Sequence, residues 1–204
     1  MRCLTAFVLP LCLSAIAVPG ALVTAFVQEN SRPAELTLPY GRVQPLPSPD
    51  GAHTLYGVEF QDGKNAGSQL WIRDNSTGGS RLLLTLGGSM QAFWSPDGNA
   101  FSVNDHWASD RESAYIYDTE TLKRQNVGED ILAADPESRH FTNAHAYFHV
   151  ERWDGPAQVI VQFHGHTDEA PVRCFEFRYR VSRTGVVEKL SERVHPLDKD
   201  RSCN

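Results

Sequence analysis

Hydrophobic residues recur at every second position through much of the chain, and turn-forming residues separate the alternating segments. The clearest run is 172–182, in which Phe175, Phe177 and Tyr179 share one face and charged residues take the other. A period of two is typical of strands with one buried face in an antiparallel sheet. The pattern therefore predicts an all-β chain, with one short helix at 129–134 that ends before Pro136.

The same pattern predicts several further strands. Three consecutive leucines at 82–84 indicate that the strand 81–86 is buried on both faces. A loop is expected around Asn104, Asp105 and His106, where polar residues interrupt the alternation. The other predicted strands are 35–38, 53–60, 68–74, 89–94, 101–103, 114–117, 146–150, 158–163 and 186–190.

Two identical turns, Ser-Pro-Asp-Gly at 48–51 and 95–98, organise the first half of the chain. Proline presets φ for the turn, aspartate bonds to nearby backbone amides, and glycine accepts a positive φ. Bulky residues flank both turns, which favours a hairpin at each. Asp50 and Asp97 are 47 residues apart, and a period in the forties with about four strands is typical of propeller blades.

These two turns, followed by Leu70-Trp71-Ile72-Arg73-Asp74 and by Tyr115-Ile116-Tyr117-Asp118, resemble the WD40-like PD40 repeat. That repeat occurs in TolB-like β-propellers and in the propeller domains of prolyl-oligopeptidase-type enzymes. The resemblance covers about residues 45–125, and a degraded third copy is expected from 135–138 onward. A hairpin turn that is simply used twice is the alternative. The resemblance implies an antiparallel fold of about three propeller-like, four-stranded modules.

The chain has 204 residues, which suggests one domain but is short for a closed propeller of four or more blades. We expect a single propeller-like domain at 45–192, preceded by a Pro-rich lead-in at 28–44 and followed by a charged tail at 193–204. We expect three modules to form an open arc, with packing as a sandwich or pairing with another chain as the alternatives. Its exposed sheet edges favour pairing with a second copy of the chain.

The N-terminus has the pattern of a signal peptide. Arg2 is the only charge before Glu29, an apolar run follows it, and Ala15-Ile16-Ala17 fits a cleavage site after Ala17. We expect a signal within 1–27 and an exported, periplasmic or secreted protein. An uncleaved anchor that continues to Val27 is the alternative.

Export changes how the four cysteines are interpreted. Cys3 and Cys12 leave with the signal, and Cys174 and Cys203 remain as an even pair in an oxidising compartment. We predict a disulfide between them that ties the tail to a strand, with two free thiols as the alternative.

The charge balance limits the partners. The chain has 19 basic and 25 acidic residues, a net charge of −6 that becomes −7 when Arg2 is removed. An acidic chain is a poor match for nucleic acid or an anionic membrane. We expect a protein or a glycan of the cell envelope as the partner.

Catalytic motifs of serine hydrolases are absent from the sequence. Gly87-Gly88-Ser89-Met90-Gln91 lacks the last glycine of a nucleophile elbow, and no length remains for an α/β-hydrolase domain. We expect no catalytic constellation of this kind and no cofactor. The repeat architecture then favours a non-enzymatic binding or scaffold module of the cell envelope.

A metal site is the main chemical alternative. His164, His166 and Asp168 place three potential ligands within five residues, and alternating residues of a strand face the same side. His106, His140, His145 and His149 are further potential ligands. The alternative function is accordingly a metal-binding protein or a metal-dependent hydrolase centred on His164 and His166.

The residues after the second hairpin are the candidates for ligand binding by a scaffold. Loops of a propeller-like array cluster on one face, where ligands are met. Asp105, His106, Trp107 and Asp110 belong to this segment, and Trp107 is the best candidate for an exposed contact.

Overall fold

The computed structural model describes residues 34–39, 45–62, 65–143, 145–197 and 203. The predicted signal peptide at 1–27, with its cleavage after Ala17, and most of the lead-in at 28–44 lie outside them. One short helix, α1 (Val127–Ala134), and a 3-10 helix (Pro136–Phe141) accompany the strands. The strands are β1 (Leu36–Leu38), β2 (Leu46–Pro47), β3 (His53–Asp62), β4 (Asn65–Asp74), β5 (Ser80–Leu86), β6 (Ser89–Trp94), β7 (Ala100–Ala108), β8 (Arg111–Asp118), β9 (Arg124–Asn126), β10 (His145–Trp153), β11 (Gln158–His166), β12 (Arg173–Ser182) and β13 (Val187–Pro196).

Three four-stranded antiparallel meanders follow one another in chain order. The first module is β2-β3-β4-β5, the second is β6-β7-β8-β9, and the third is β10-β11-β12-β13. The second and third modules join through a short parallel bridge, in which Arg111 pairs with Ala146 and Glu112 with Tyr147. The predicted all-β fold of propeller-like modules is therefore confirmed. The described residues hold three modules, fewer than the four blades of the smallest closed propellers.

The two Ser-Pro-Asp-Gly turns carry the same hydrogen bonds. Ser95 Oγ donates to Asp97 Oδ1 at 2.6 Å, and the Ala100 N–H donates to Ser95 Oγ at 3.0 Å. In the first turn Ser48 Oγ makes the same pair of contacts, with Asp50 and with the His53 N–H. The serine hydroxyl thus stabilises each hairpin turn through hydrogen bonds within the turn. Both turns join the first strand of a module to its second strand.

A shorter turn takes this place in the third module. Asp154-Gly155-Pro156-Ala157 joins β10 to β11, and Gly155 has a φ of 73°, the value also found at Gly51 and Gly98. The predicted start of the third copy at 135–138 is wrong, because those residues end α1 and begin the 3-10 helix. Pro136 stands at the first turn of that helix, where its missing N–H costs nothing.

Each core lies between two neighbouring modules. Leu55, Leu70 and Ile72 of the first module pack against Trp94 and Phe101 of the second. Side chains on the opposite face of the second module, such as Phe93 and Ile116, pack instead against the third module and α1. The second module is covered on both faces, so alternate residues of its strands contribute to two different cores.

Strand β1 extends the second module at its inner edge. Leu36 and Leu38 pair with Ala92 and Met90, and both leucines are buried in the first core. Gly57 makes room for Leu38, since a Cβ at this glycine would come within 2.5 Å of the leucine methyl carbons. The predicted strand at 35–38 thus belongs to the packed fold, although we expected it in the lead-in.

Three further expectations are corrected. Strand β5 is not buried on both faces, because it is an outer strand and the Leu82 side chain remains 46% exposed. The expected loop at 104–106 is part of β7, which stays paired with β6 as far as His106. Strand β13 runs to Pro196, so the predicted charged tail at 193–204 begins within a strand.

The predicted disulfide between Cys174 and Cys203 is present, with a Cα–Cα distance of 5.3 Å. Cys174 is buried on β12, opposite His166 of β11 and His195 of β13. The covalent bond therefore fixes Cys203 to the start of β12, at one end of the third module.

Candidate functional site

The side chains of one face of the third module form a polar ladder. In β10 the odd residues His145, Tyr147 and His149 face this side, whereas Ala146 and Val150 face the core. Their partners across the ladder are His166, His164 and Gln162 of β11, in that order. Alternation within each strand and pairing between strands thus bring four histidines to one face.

The outermost pair of this ladder has the geometry closest to a metal site. The rings of His145 and His166 are stacked with their centroids 4.1 Å apart. Asp168 lies two residues after the end of β11, and one potential ligand atom from each of these three residues lies within 4.8 Å of the other two. Among the described residues, this is the one group of three or more histidine, cysteine or acidic residues that meets this distance.

His164 occupies the next position along the ladder. Its ring stacks on Tyr147, with centroids 5.3 Å apart, and its Nδ1 is buried without a hydrogen-bond partner. Burial lowers the pKa of His164, so that the neutral ring is favoured. The structure therefore brings His166 and Asp168 of the predicted set together with His145. His164 lies opposite Tyr147, at the next position along the same face.

Glu112 lies at the other end of this face, between two histidines. Its Oε1 is 2.8 Å from His149 Nδ1, its Oε2 is 3.3 Å from His106 Nε2, and its side chain is 2% exposed. Asn104 Nδ2 lies 3.1 Å from the same His149 Nδ1, so this ring nitrogen contacts both a carboxylate oxygen and an amide nitrogen. No pattern in the sequence singled out Glu112, because its partners come from β7 and β10.

Asn104 holds the same region together. Its side-chain oxygen accepts a hydrogen bond from the Val150 N–H at 2.9 Å, and its amide donates to the Val150 carbonyl at 3.0 Å. This buried amide joins β7 to β10, across the junction that has only two ladder pairs. It explains why a polar residue belongs inside strand β7.

A cavity of about 530 Å³ opens on this face. Its lining residues are His106, Glu112, His145, Tyr147, His149, Gln162, His164, Gly165, His166 and Cys203. The disulfide thus places Cys203 at the edge of the histidine cavity. His140 is exposed in the 3-10 helix and takes no part in this lining.

The four residues predicted for ligand binding lie in different environments. Asp105 is 8% exposed, and burial raises the pKa of its carboxyl group. His106 contacts Glu112, Trp107 is 53% exposed, and Asp110 lies in the turn between β7 and β8. Asp105 therefore does not share an exposed surface with Trp107.

Comparisons with known proteins give similarities of fold. No family model matches the chain, and no curated protein matches it in sequence. Among solved structures, it is similar to the β-propeller domain of the Trilobed protease from Pyrococcus furiosus, described as having an open velcro topology. That match has a TM-score of 0.49 and 16% identity, and covers 72% of this chain and 42% of the other.

Two other matches are an oligogalacturonate lyase in complex with manganese and TolB from Acinetobacter baumannii. The first has a TM-score of 0.46 and 12% identity, and covers 76% of this chain and 42% of the other. The second has a TM-score of 0.35 and 15% identity, and covers 71% and 41%. The chain thus aligns with about two fifths of each of these proteins, and the structures it resembles are β-propeller proteins.

Proposed function

We propose that this protein is an exported binding module that holds a divalent transition-metal ion through His145, His166 and Asp168. The observation that carries the proposal is the approach of their ligand atoms to within 4.8 Å of one another. Ligands that surround a zinc ion lie about 2.1 Å from it and hence about 3.4 Å from one another. Small side-chain rotations of the exposed Asp168 and the half-buried histidines close this difference.

The donor set favours a borderline metal ion. Two imidazoles and one carboxylate suit Zn²⁺ or a neighbouring first-row ion, whereas Ca²⁺ and Mg²⁺ prefer oxygen ligands alone. Three protein ligands leave one position of a tetrahedral ion for solvent or for a bound molecule.

Export is part of the proposal. The sequence of 1–27 supports it, and so does the Cys174–Cys203 disulfide, since such bonds persist in oxidising compartments. Among the described residues, no helix is long and apolar enough to span a bilayer. We propose that the module lies in the periplasm or outside the cell, with a protein or glycan of the envelope as its wider partner.

Isothermal titration of the mature chain with Zn²⁺, after treatment with EDTA, tests the metal site. We expect one ion per chain, and we expect His166→Ala and Asp168→Asn to weaken binding at least tenfold. His140→Ala is the matched control, because this exposed histidine lies outside the cavity. A wild-type chain that binds no first-row ion, or site variants that bind the ion as tightly as the wild type, contradicts the proposal.

A metal-dependent hydrolase is the second candidate, favoured by the contact between Glu112 and His149. A histidine whose Nδ1 donates to a carboxylate presents Nε2 as a proton acceptor. The Zn²⁺-loaded chain should then hydrolyse p-nitrophenyl acetate or bis(p-nitrophenyl) phosphate, and His149→Ala should lower kcat about a hundredfold while leaving metal affinity unchanged. Equal turnover by His149→Ala and wild type rules out this role, and no turnover by either leaves the non-enzymatic module.

Self-pairing is also proposed for the outer strands. β5 and β13 end the first and third modules, and most of their residues are exposed. An uncovered sheet edge offers backbone hydrogen bonds to another strand. Light scattering of the mature chain should then report a dimer at micromolar concentration, and a strict monomer contradicts the pairing.

A further inference from the structure

A second cavity, of about 810 Å³, lies between the first and second modules and is separate from the proposed metal ligands. Its wall includes the exposed Trp107, Phe60, the planar polar side chains Glu59 and Gln61, and three serines, Ser68, Ser89 and Ser109. This volume is in the range of small-molecule sites. We propose that this cavity binds a neutral oligosaccharide, with one sugar ring stacked on Trp107.

A β-bulge directs Trp107 toward this cavity. The register between β7 and β8 shifts between Asp105 and Ala108, and the residues inside the shift are His106 and Trp107. His106 turns to Glu112, whereas Trp107 points outward with half of its surface exposed. Bulges re-aim side chains in this way beside binding sites.

One hydrogen bond restrains the indole of Trp107. Trp107 Nε1 donates to Ser113 Oγ at 3.1 Å, so one edge of the ring system is held while its surface remains available. A held aromatic ring loses little conformational entropy when a ligand stacks on it. The bulge also needs space at Gly88, where a Cβ would come within 1.9 Å of the His106 carbonyl oxygen.

The composition of the wall selects the class of ligand. Glu59 is the only residue with a full charge among the described lining residues, and neither lysine nor arginine lines the cavity. Phosphorylated, sulfated and uronic-acid ligands therefore lack a counter-charge here. An apolar ligand would leave the hydroxyl and amide groups without partners, and unpaired polar groups are costly to bury.

A neutral oligosaccharide matches both the aromatic and the polar side chains of this wall. Its C–H faces pack on an aromatic ring, its hydroxyls donate to the glutamate carboxylate, and they donate to and accept from serine and glutamine side chains. His106 lines this cavity and the histidine cavity alike, so a bound chain of sugars would extend toward the polar face of the third module.

The test uses the mature full-length chain in EDTA, which makes it independent of the metal proposal. An array of neutral oligosaccharides, built from glucose, mannose, galactose and N-acetylglucosamine, identifies a binder, and titration calorimetry then measures its affinity. Trp107→Ala should weaken binding about tenfold or more, since a tryptophan at the centre of a contact is often a hot spot. Trp107→Phe should retain affinity within about threefold.

Leu190→Ala is the matched control, because it removes an exposed apolar side chain from β13, away from the cavity. Its affinity should equal that of the wild type. Wild-type binding to no neutral glycan at millimolar concentration, or equal affinity in Trp107→Ala, overturns the proposal. Binding of peptides or acidic glycans alone also overturns it.

Discussion

Glu112 and His149 connect two modules through a carboxylate that is almost completely buried. Glu112 Oε1 lies 2.8 Å from His149 Nδ1, and the Glu112 side chain is 2% exposed. These residues belong to β8 and β10, which share only two ladder pairs. The contact therefore adds a side-chain link to a junction that backbone pairing joins by only two ladder pairs.

We expect Glu112→Gln to destabilise the protein by about 2 kcal/mol, because hydrogen bonds to a charged group contribute roughly 1.5–3 kcal/mol. One of the two oxygens that contact His149 and His106 would become an amide donor, so one histidine would lose its acceptor. Urea unfolding followed by tryptophan fluorescence measures the change. Glu188→Gln is the control, since Glu188 pairs with Arg180 in an exposed position and should leave stability unchanged. Equal stability of the two variants would show that Glu112 does not strengthen the junction.

Gly98→Ala and Gly51→Ala form a matched pair of turn variants. Both glycines have a φ of 73°, so each alanine costs roughly 1–2 kcal/mol in the left-handed region. A Cβ at Gly98 would also lie 3.0 Å from Asp50 Cγ, whereas a Cβ at Gly51 would have no neighbouring atom within 4 Å. We expect Gly98→Ala to be the more destabilising variant in urea unfolding. The reverse order would contradict the close packing of the two turns.

Reduction of the disulfide should lower stability by about 3–4 kcal/mol, as the chain-entropy model gives for a loop of 29 residues. The measurement compares urea unfolding with and without dithiothreitol. Cys203→Ser should match the reduced wild type and should not respond to the reductant. A response of this variant to dithiothreitol would mean that the stability change does not come from the Cys174–Cys203 bond.

His164 should make stability depend on pH. Burial lowers its pKa in the folded protein, so the unfolded chain binds the proton more readily. Stability is therefore fully present above the unfolded pKa of about 6.5 and is lost as the pH falls through the folded pKa. Urea unfolding between pH 5 and pH 8 should show a weaker pH dependence for His164→Gln than for the wild type. NMR titration of the imidazole resonances measures the pKa directly, and a value above 6.5 would contradict this prediction.

Local sequence determined the parts of this fold that depend on neighbouring residues. The Ser-Pro-Asp-Gly turns carry their hydrogen bonds within five residues, so the motif alone predicted both hairpins. The period of two predicted the strands for the same reason. The disulfide was also predicted from the sequence, because the expected export would leave Cys174 and Cys203 as an even pair.

Tertiary structure decided which polar residues meet. The sequence places His164 beside His166, but strand pairing brings His145 to the ring of His166. Glu112 acquires its role only because β7 and β10 lie on either side of β8, and no spacing along the chain encodes that neighbourhood. Burial of β5 was mispredicted for a related reason. A run of leucines shows that a strand is apolar, but only the packing of modules determines which strands are covered.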